Sequence, residues 1–88
     1  MRNDWEMRGQ MQGAVVSVAA NIAEGYERNS RKEYVHFLTI SKGSCGEFRC
    51  LLIAGRIGYL AKETSKDAIE DTKEISRMLK GLIDSLKT

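Results

Sequence analysis

Apolar residues return at every third or fourth position along most of this chain, in three runs separated by short polar stretches, which is the signature of amphipathic helices. In the first run Met7, Met11, Val15, Val18, Ile22 and Tyr26 form one stripe, predicting a helix over about 4–26 with Asn3 as cap and Gly25 near its end. Val16, Ala19, Ala20 and Ala23 widen the stripe into an arc too broad for one neighbour, so this helix should be covered on more than one side. Only Ser17, Asn21, Glu24 and Arg28 make a polar strip in its second half.

The second run opens at Ser30, whose hydroxyl can accept an orphan amide while Glu33 reaches back, a capping box. It predicts a helix over 31–57 with the core stripe Tyr34, Phe37, Ser41, Ser44 or Cys45, Phe48, Leu52 and Gly55, ending near Gly58. Gly43, Gly46 and Gly55 each cost a helix about 1 kcal/mol relative to alanine, and close helix approach is the expected compensation. Gly43-Ser44-Cys45-Gly46 lacks the lysine and the preceding strand of a phosphate loop. In the third run Thr64 or Ser65 caps a helix over 66–86, with Asp67 completing the box. Ala68, Thr72, Ile75, Leu79, Leu82 and Leu86 alternate four and three, as along the seam of a left-handed bundle. Short connections make successive helices antiparallel, so the expected fold is all-α: an up-down bundle of three helices in one domain, 1–88.

Composition agrees and narrows the class. An 88-residue chain with 42% hydrophobic and 30% charged residues and no proline suits one helical domain with a modest core. A net charge of +2 demands no nucleic-acid partner, so only the placement of the charges can matter. No apolar run reaches the ~20 residues of a membrane span and no signal peptide is apparent, so a cytoplasmic location without membrane attachment is expected. Cys45 and Cys50 stand about 140° apart on a helix, and with one distant His36 they make neither a disulfide nor a metal set. No metal, cofactor or small-molecule substrate is expected.

Charge placement is the best clue to function. Arg31, Lys42, Arg49 and Arg56 fall within about 40° on one flank of the second helix, with Glu33 and Glu47 on the other. On the third, Lys66, Lys73, Lys80 and Lys87 recur every seven residues, with Asp67, Glu70, Asp71 and Glu74 opposite. Such rows either track phosphates, giving salt-sensitive binding without sequence preference, or pair with acids across bundle seams. Asn21, Glu24 and Arg28 read as a structural network with Ser44 and Glu47. Paired carboxylates at Glu24 and Glu47 are the enzymatic alternative, though three helices offer little cleft for them.

The string Ala20-Asn21-Ile22-Ala23-Glu24-Gly25, followed by Arg28, Ser30, Lys32-Glu33, Phe37-Leu38, Gly43-Ser44, Glu47, Leu51, Ala54 and Gly58-Tyr59-Leu60, resembles the four helix bundle protein family, the 23S ribosomal RNA intervening sequence proteins. Ile75 to Leu79 and Gly81 to Ile83 are similar to that family's last helix, so the resemblance covers nearly the whole chain. It implies an antiparallel four-helix bundle assembling as a ring-like homo-oligomer, commonly a pentamer. Relatives include the accessory variability determinants of diversity-generating retroelements, basic oligomers that bind nucleic acid and a reverse transcriptase. A reverse transcriptase is implied as partner only if the gene lies in such a retroelement. Two departures stand out: the family's first helix has no counterpart before Trp5, and Ala19 stands where the family tends to carry proline. The chain therefore reads as a four-helix bundle that lacks its first helix, with Trp5, Val16, Ala19 and Ala23 as the expected oligomer interface.

The expected function is a non-enzymatic oligomeric bundle protein that binds structured RNA or DNA weakly through its basic flanks. The alternative is a protein-protein assembly module without nucleic-acid binding.

Overall fold

The computed structural model describes the backbone of residues 4–58 and 62–87 and the side chains of residues 6, 8–54 and 66–87. It contains α1 (Asp4–Tyr26), α2 (Arg31–Gly58) and α3 (Lys62–Lys87), and no strand among the described residues. The fold is the all-α, up-down antiparallel three-helix bundle that the periodicity predicts. The expected bounds of α1 and α2 hold to within a residue, but α3 begins four residues early, at Lys62. Thr64 and Ser65 therefore lie inside its first turns rather than at its cap; Lys62 and Glu63 are good helix formers and carry the helix back past them.

Between α1 and α2 the chain turns in residues 27–30, where the Arg28 amide donates to the Gly25 carbonyl at 3.2 Å. Ser30 caps α2 by accepting the Glu33 amide at 3.0 Å. Only this half of the expected box forms, since no return bond from the exposed Glu33 carboxylate is present among the described residues.

The central helix is α2. Both α1 and α3 pack along it, while α1 and α3 share no Cα pair within 8 Å among the described residues. A helix with two neighbours needs two inward faces, which explains why Leu38, off the expected α2 stripe, is fully buried at 0% exposure, as is Ser41. Leu38 meets Leu79 and Ile83 of α3, and Ile22, Tyr34, Val35 and Leu86 close around them. This dry cluster sits at the end where α1 turns into α2.

Along the α1–α2 seam the packing is tight and polar. Ala14 and Gly25 are buried, the Ser41 hydroxyl donates to the Val18 carbonyl at 2.8 Å, and Ser17 and Ser44 share a hydrogen bond of 2.7 Å. Asn21 donates to the Ser17 carbonyl and hydroxyl at 2.8 and 3.1 Å. Small side chains let the two backbones approach, and the hydroxyls find partners across the seam, so no buried polar side-chain atom is left unpaired among the described residues.

The glycines sort differently from expectation. A Cβ built on Gly43 or Gly46 meets nothing within 4 Å, so neither serves close approach of helices within the chain. Gly25 does, because its Cβ would stand 2.8 Å from the Phe37 Cβ. Gly43→Ala and Gly46→Ala should therefore each raise stability by about 0.5–1 kcal/mol, through helix propensity and a stiffer unfolded chain, read as a higher denaturation midpoint.

Candidate functional site

The feature that stands out is a trough between α1 and α3, floored by α2. Val15, Val18 and Ala19 form one wall, Ala68, Asp71, Thr72 and Ile75 the other, with Cys45 and Phe48 below, around a space of about 300 Å³. It runs on into a second hollow of about 450 Å³ against Arg8, Met11, Gln12, Val15, Val16 and Phe48. Val15 and Phe48 line both, so the two hollows adjoin at these side chains.

Its walls arise from the phase of two helices. On α1 the residues turned to α2 include Ala14, Ser17, Asn21 and Gly25, which leaves Val15 at 46% and Val16 at 65% exposure, with Ala19, Ala20 and Ala23 also outside. The expected stripe is thus only partly inward: Met11, Val18 and Ile22 are half-buried, whereas Val15 and Tyr26 are exposed. On α3 the inward residues are Ile69, Thr72, Ser76, Leu79, Ile83 and Leu86. Ile75 and Leu82 of the expected seam turn outward with Met78, leaving an apolar flank on the trough side. The signal for the trough was in the sequence as excess width in the apolar stripe of α1 alone, and Phe48, Ile75 and Asp71 were not placed there by it.

Of the expected oligomer-interface residues, Val16, Ala19 and Ala23 are exposed on the outer arc of α1. The Trp5 side chain lies outside the described residues. The expected polar network divides: Asn21 joins Ser17 and Ser44 at the seam, while Glu24 pairs with Arg28 in the open. Arg28 also stands 5.0 Å over the Phe37 ring, and Glu47 is exposed with no bond or ion pair among the described residues. Gly25 rests on Phe37, so Glu24 sits near the level of Phe37 and Glu47 lies ten residues farther along α2, about 15 Å away at 1.5 Å per residue. The two acids do not face one another as a catalytic pair would.

The basic rows are broken in part. Arg49 turns inward, donating from Nε to the Thr72 hydroxyl at 2.8 Å and from Nη2 to the Thr72 carbonyl at 3.0 Å and the Ser76 hydroxyl at 2.7 Å. The Cys45 thiol donates to the same carbonyl at 3.3 Å, so Thr72, itself buried, is the point where α2 grips α3. Arg49→Met keeps the apolar stem and leaves Thr72 bonded to Cys45 and the Ile69 carbonyl. It should cost about 1–2 kcal/mol, measured as a lower denaturation midpoint.

On α3, Lys73 pairs with Glu70 at 3.3 Å and Lys80 with Asp84 at 2.8 Å, within the helix rather than across a seam. The hydrogen bond from Lys80 holds the Asp84 carboxyl below its ordinary range, helped by Lys87 and Lys42. Lys42, Lys66 and Lys87 are exposed, Arg31 begins α2, and the Arg56 side chain lies outside the described residues. Arg31, Lys32 and Lys87 come together around Val35 and Leu86 in a hollow of about 320 Å³ at the closed end. Sequence spacing does not bring these three together; the antiparallel pairing of α2 and α3 does.

Among the described residues no group of His, Cys, Asp and Glu is placed to hold a metal, and no helix is long and apolar enough to cross a membrane. The family model described as 23S rRNA-intervening sequence protein matches residues 1–81 of the 88. The chain belongs to that family. This family assignment agrees with the Ala20 to Gly25 string, whose Gly25 is the one described glycine that a neighbouring helix crowds. No curated protein and no solved structure matches the chain.

Proposed function

We propose that this chain is a non-enzymatic assembly module, a three-helix protomer whose trough takes up one further apolar helix. One observation carries the reading: α1 gives part of its contact with α2 to Ser17, Asn21 and Gly25, beside Ala14, Val18 and Ile22, and leaves Val15, Val16, Ala19 and Ala23 exposed. A helix that serves only its own bundle does the reverse. With Ile75 uncovered on the facing helix beside Val15 and Ala19, the trough presents apolar surface of the kind found at sites that bind another protein.

Sedimentation equilibrium over a range of concentrations tests this. The mass should rise well above the 9.9 kDa of one chain, and Val16→Glu and Ala23→Glu should bring it back while circular dichroism shows the helices intact. A mass of 9.9 kDa at every concentration would remove the reading. The homopentamer implied by the family resemblance is one of the masses this measurement can return.

A second reading, weak binding of structured RNA or DNA, draws on the convergence of Arg31, Lys32 and Lys87 and on the RNA in the family's description. It expects retention on RNA at low salt that falls as salt rises, and its loss in Lys32→Glu with Lys87→Glu. Absence of retention at low salt discards it.

A further inference from the structure

We infer that the basic rows of α2 and α3 merge into one strip along the seam between these helices, on the face away from the trough, and that the strip holds the phosphate backbone of a nucleic-acid duplex; this rests on the nucleic-acid reading above. Taken helix by helix, the rows are separate. Antiparallel packing joins them. At the closed end Arg31 and Lys32 of α2 meet Lys87 of α3. Farther along, Lys80 donates to the Asp84 carboxylate and, together with Lys87 and with Lys42 of α2, holds it below its ordinary range, so ammoniums from both helices surround it. Next comes Arg49, whose guanidinium crosses the seam to Thr72 and Ser76.

The partners of Arg49 are two hydroxyls and a carbonyl, which satisfy its hydrogen bonds and leave its charge in place. Lys32, Lys42 and Lys87 make no ion pair among the described residues. Asp84 is the acid set among these cations, whereas Glu24 belongs to α1 and Asp71 to the trough. The net charge of +2 therefore conceals a polarised surface, positive along one flank of the α2–α3 seam.

The strip and the trough do not compete for space. In helical projection Ser76, Lys80 and Lys87 lie roughly 130° around α3 from Ala68, Asp71 and Ile75 of the trough wall. From the level of Arg31 to that of Cys45, which meets Thr72 beside the Arg49 guanidinium, the strip runs roughly 20 Å at 1.5 Å per residue. A duplex carries a charge every ~1.7 Å of its axis, so several phosphates come within reach.

The strip offers charge without stacking. Tyr34 and Phe37 pack toward α1 and Phe48 floors the trough, while Val35 and Leu86 lie between the cations of the closed end. Sites for unpaired strands set aromatic faces among their cations. A strip of cations alone suits a duplex, whose bases already stack on one another.

The test measures binding of the full chain to a fully paired RNA hairpin and to an unpaired oligo-uridine of equal length, by fluorescence anisotropy over a salt series. Two variants that each lower the net charge by one are compared: Lys42→Gln on the strip, and Gly13→Glu on α1, where an added side chain meets nothing within 4 Å. Both positions are exposed, and circular dichroism checks the fold. Wild type should hold the hairpin more tightly than the single strand. Lys42→Gln should bind it several-fold more weakly, with a salt slope smaller by about 1, and Gly13→Glu should match the wild type. Equal losses in the two variants, or a tighter hold on the single strand, overturn the strip and leave the nucleic-acid reading standing. Wild type that binds neither RNA at low salt overturns both.

Discussion

Leu38→Ala should cost about 3 kcal/mol and lower the melting temperature by roughly 15 °C, the largest loss expected of any single truncation here. Leu38 is fully buried, and its side chain joins α2 to Leu79 and Ile83 of α3, with Ile22 of α1 packed against the same cluster. Removing it leaves a cavity in a cluster to which all three helices contribute, with Tyr34, Val35 and Leu86 around it. Domains of this size hold roughly 5–10 kcal/mol in total, so the loss is a large share. Thermal melts at one fixed chain concentration check it, since any self-association makes the midpoint concentration-dependent.

Gly25→Val should cost about 3 kcal/mol by the opposite mechanism, overpacking. The added Cβ would lie 2.8 Å from the Phe37 Cβ, 3.0 Å from a Tyr34 ring carbon and 3.3 Å from the Tyr34 carbonyl. A Cβ moves only with its backbone, so the conflict is relieved only by prising α1 from α2, which also stretches the Ser41 bond to Val18 and the Ser17 bond to Ser44. Chemical denaturation should show the loss, and the alanine variants at Gly43 and Gly46 are the controls that should move the other way. A Gly25→Val protein as stable as the wild type would mean that the α1–α2 seam is looser than described.

The helices themselves were legible in the sequence because periodicity and caps are local properties. Ser30 marks the start of α2 and the apolar spacing its length, and both follow from a few neighbouring residues. Phase was harder. When an apolar stripe is wider than its contact, periodicity says that residues such as Val15, Ile75 and Leu82 lie near a seam, and only the neighbour's position says that they stand outside it. On α1 part of the seam is polar, because Ser17, Ser41 and Ser44 bond across a tight interface and Asn21 bonds to Ser17 of its own helix, so these groups cost little to bury. Glycine type was equally ambiguous: Gly25, Gly43 and Gly46 carry the same propensity penalty, and only the register of α2 decides that Gly25 alone among them is crowded.

The same holds for the candidate site. The breadth of the α1 arc pointed to an interface at Val16, Ala19 and Ala23, and those residues are exposed. The basic rows were read as faces of single helices, whereas Arg49 is drawn in by Thr72 and Ser76 of the next helix and Lys80 by Asp84 of its own. A projection of one helix does not contain the neighbour that takes the Arg49 guanidinium, whereas the acid four residues on from Lys80 is an i, i+4 partner on the same helix face.

The central claim, that the outer arc of α1 is covered by another copy, is tested most directly by isotope-filtered NMR on a mixture of labelled and unlabelled chains. Intermolecular cross-peaks from the Val15 and Val16 methyls of one copy to Phe48 and Ile75 of the other are the predicted result. Sharp spectra of a single chain, with those methyls open to solvent at high concentration and no cross-peak between copies, would contradict it.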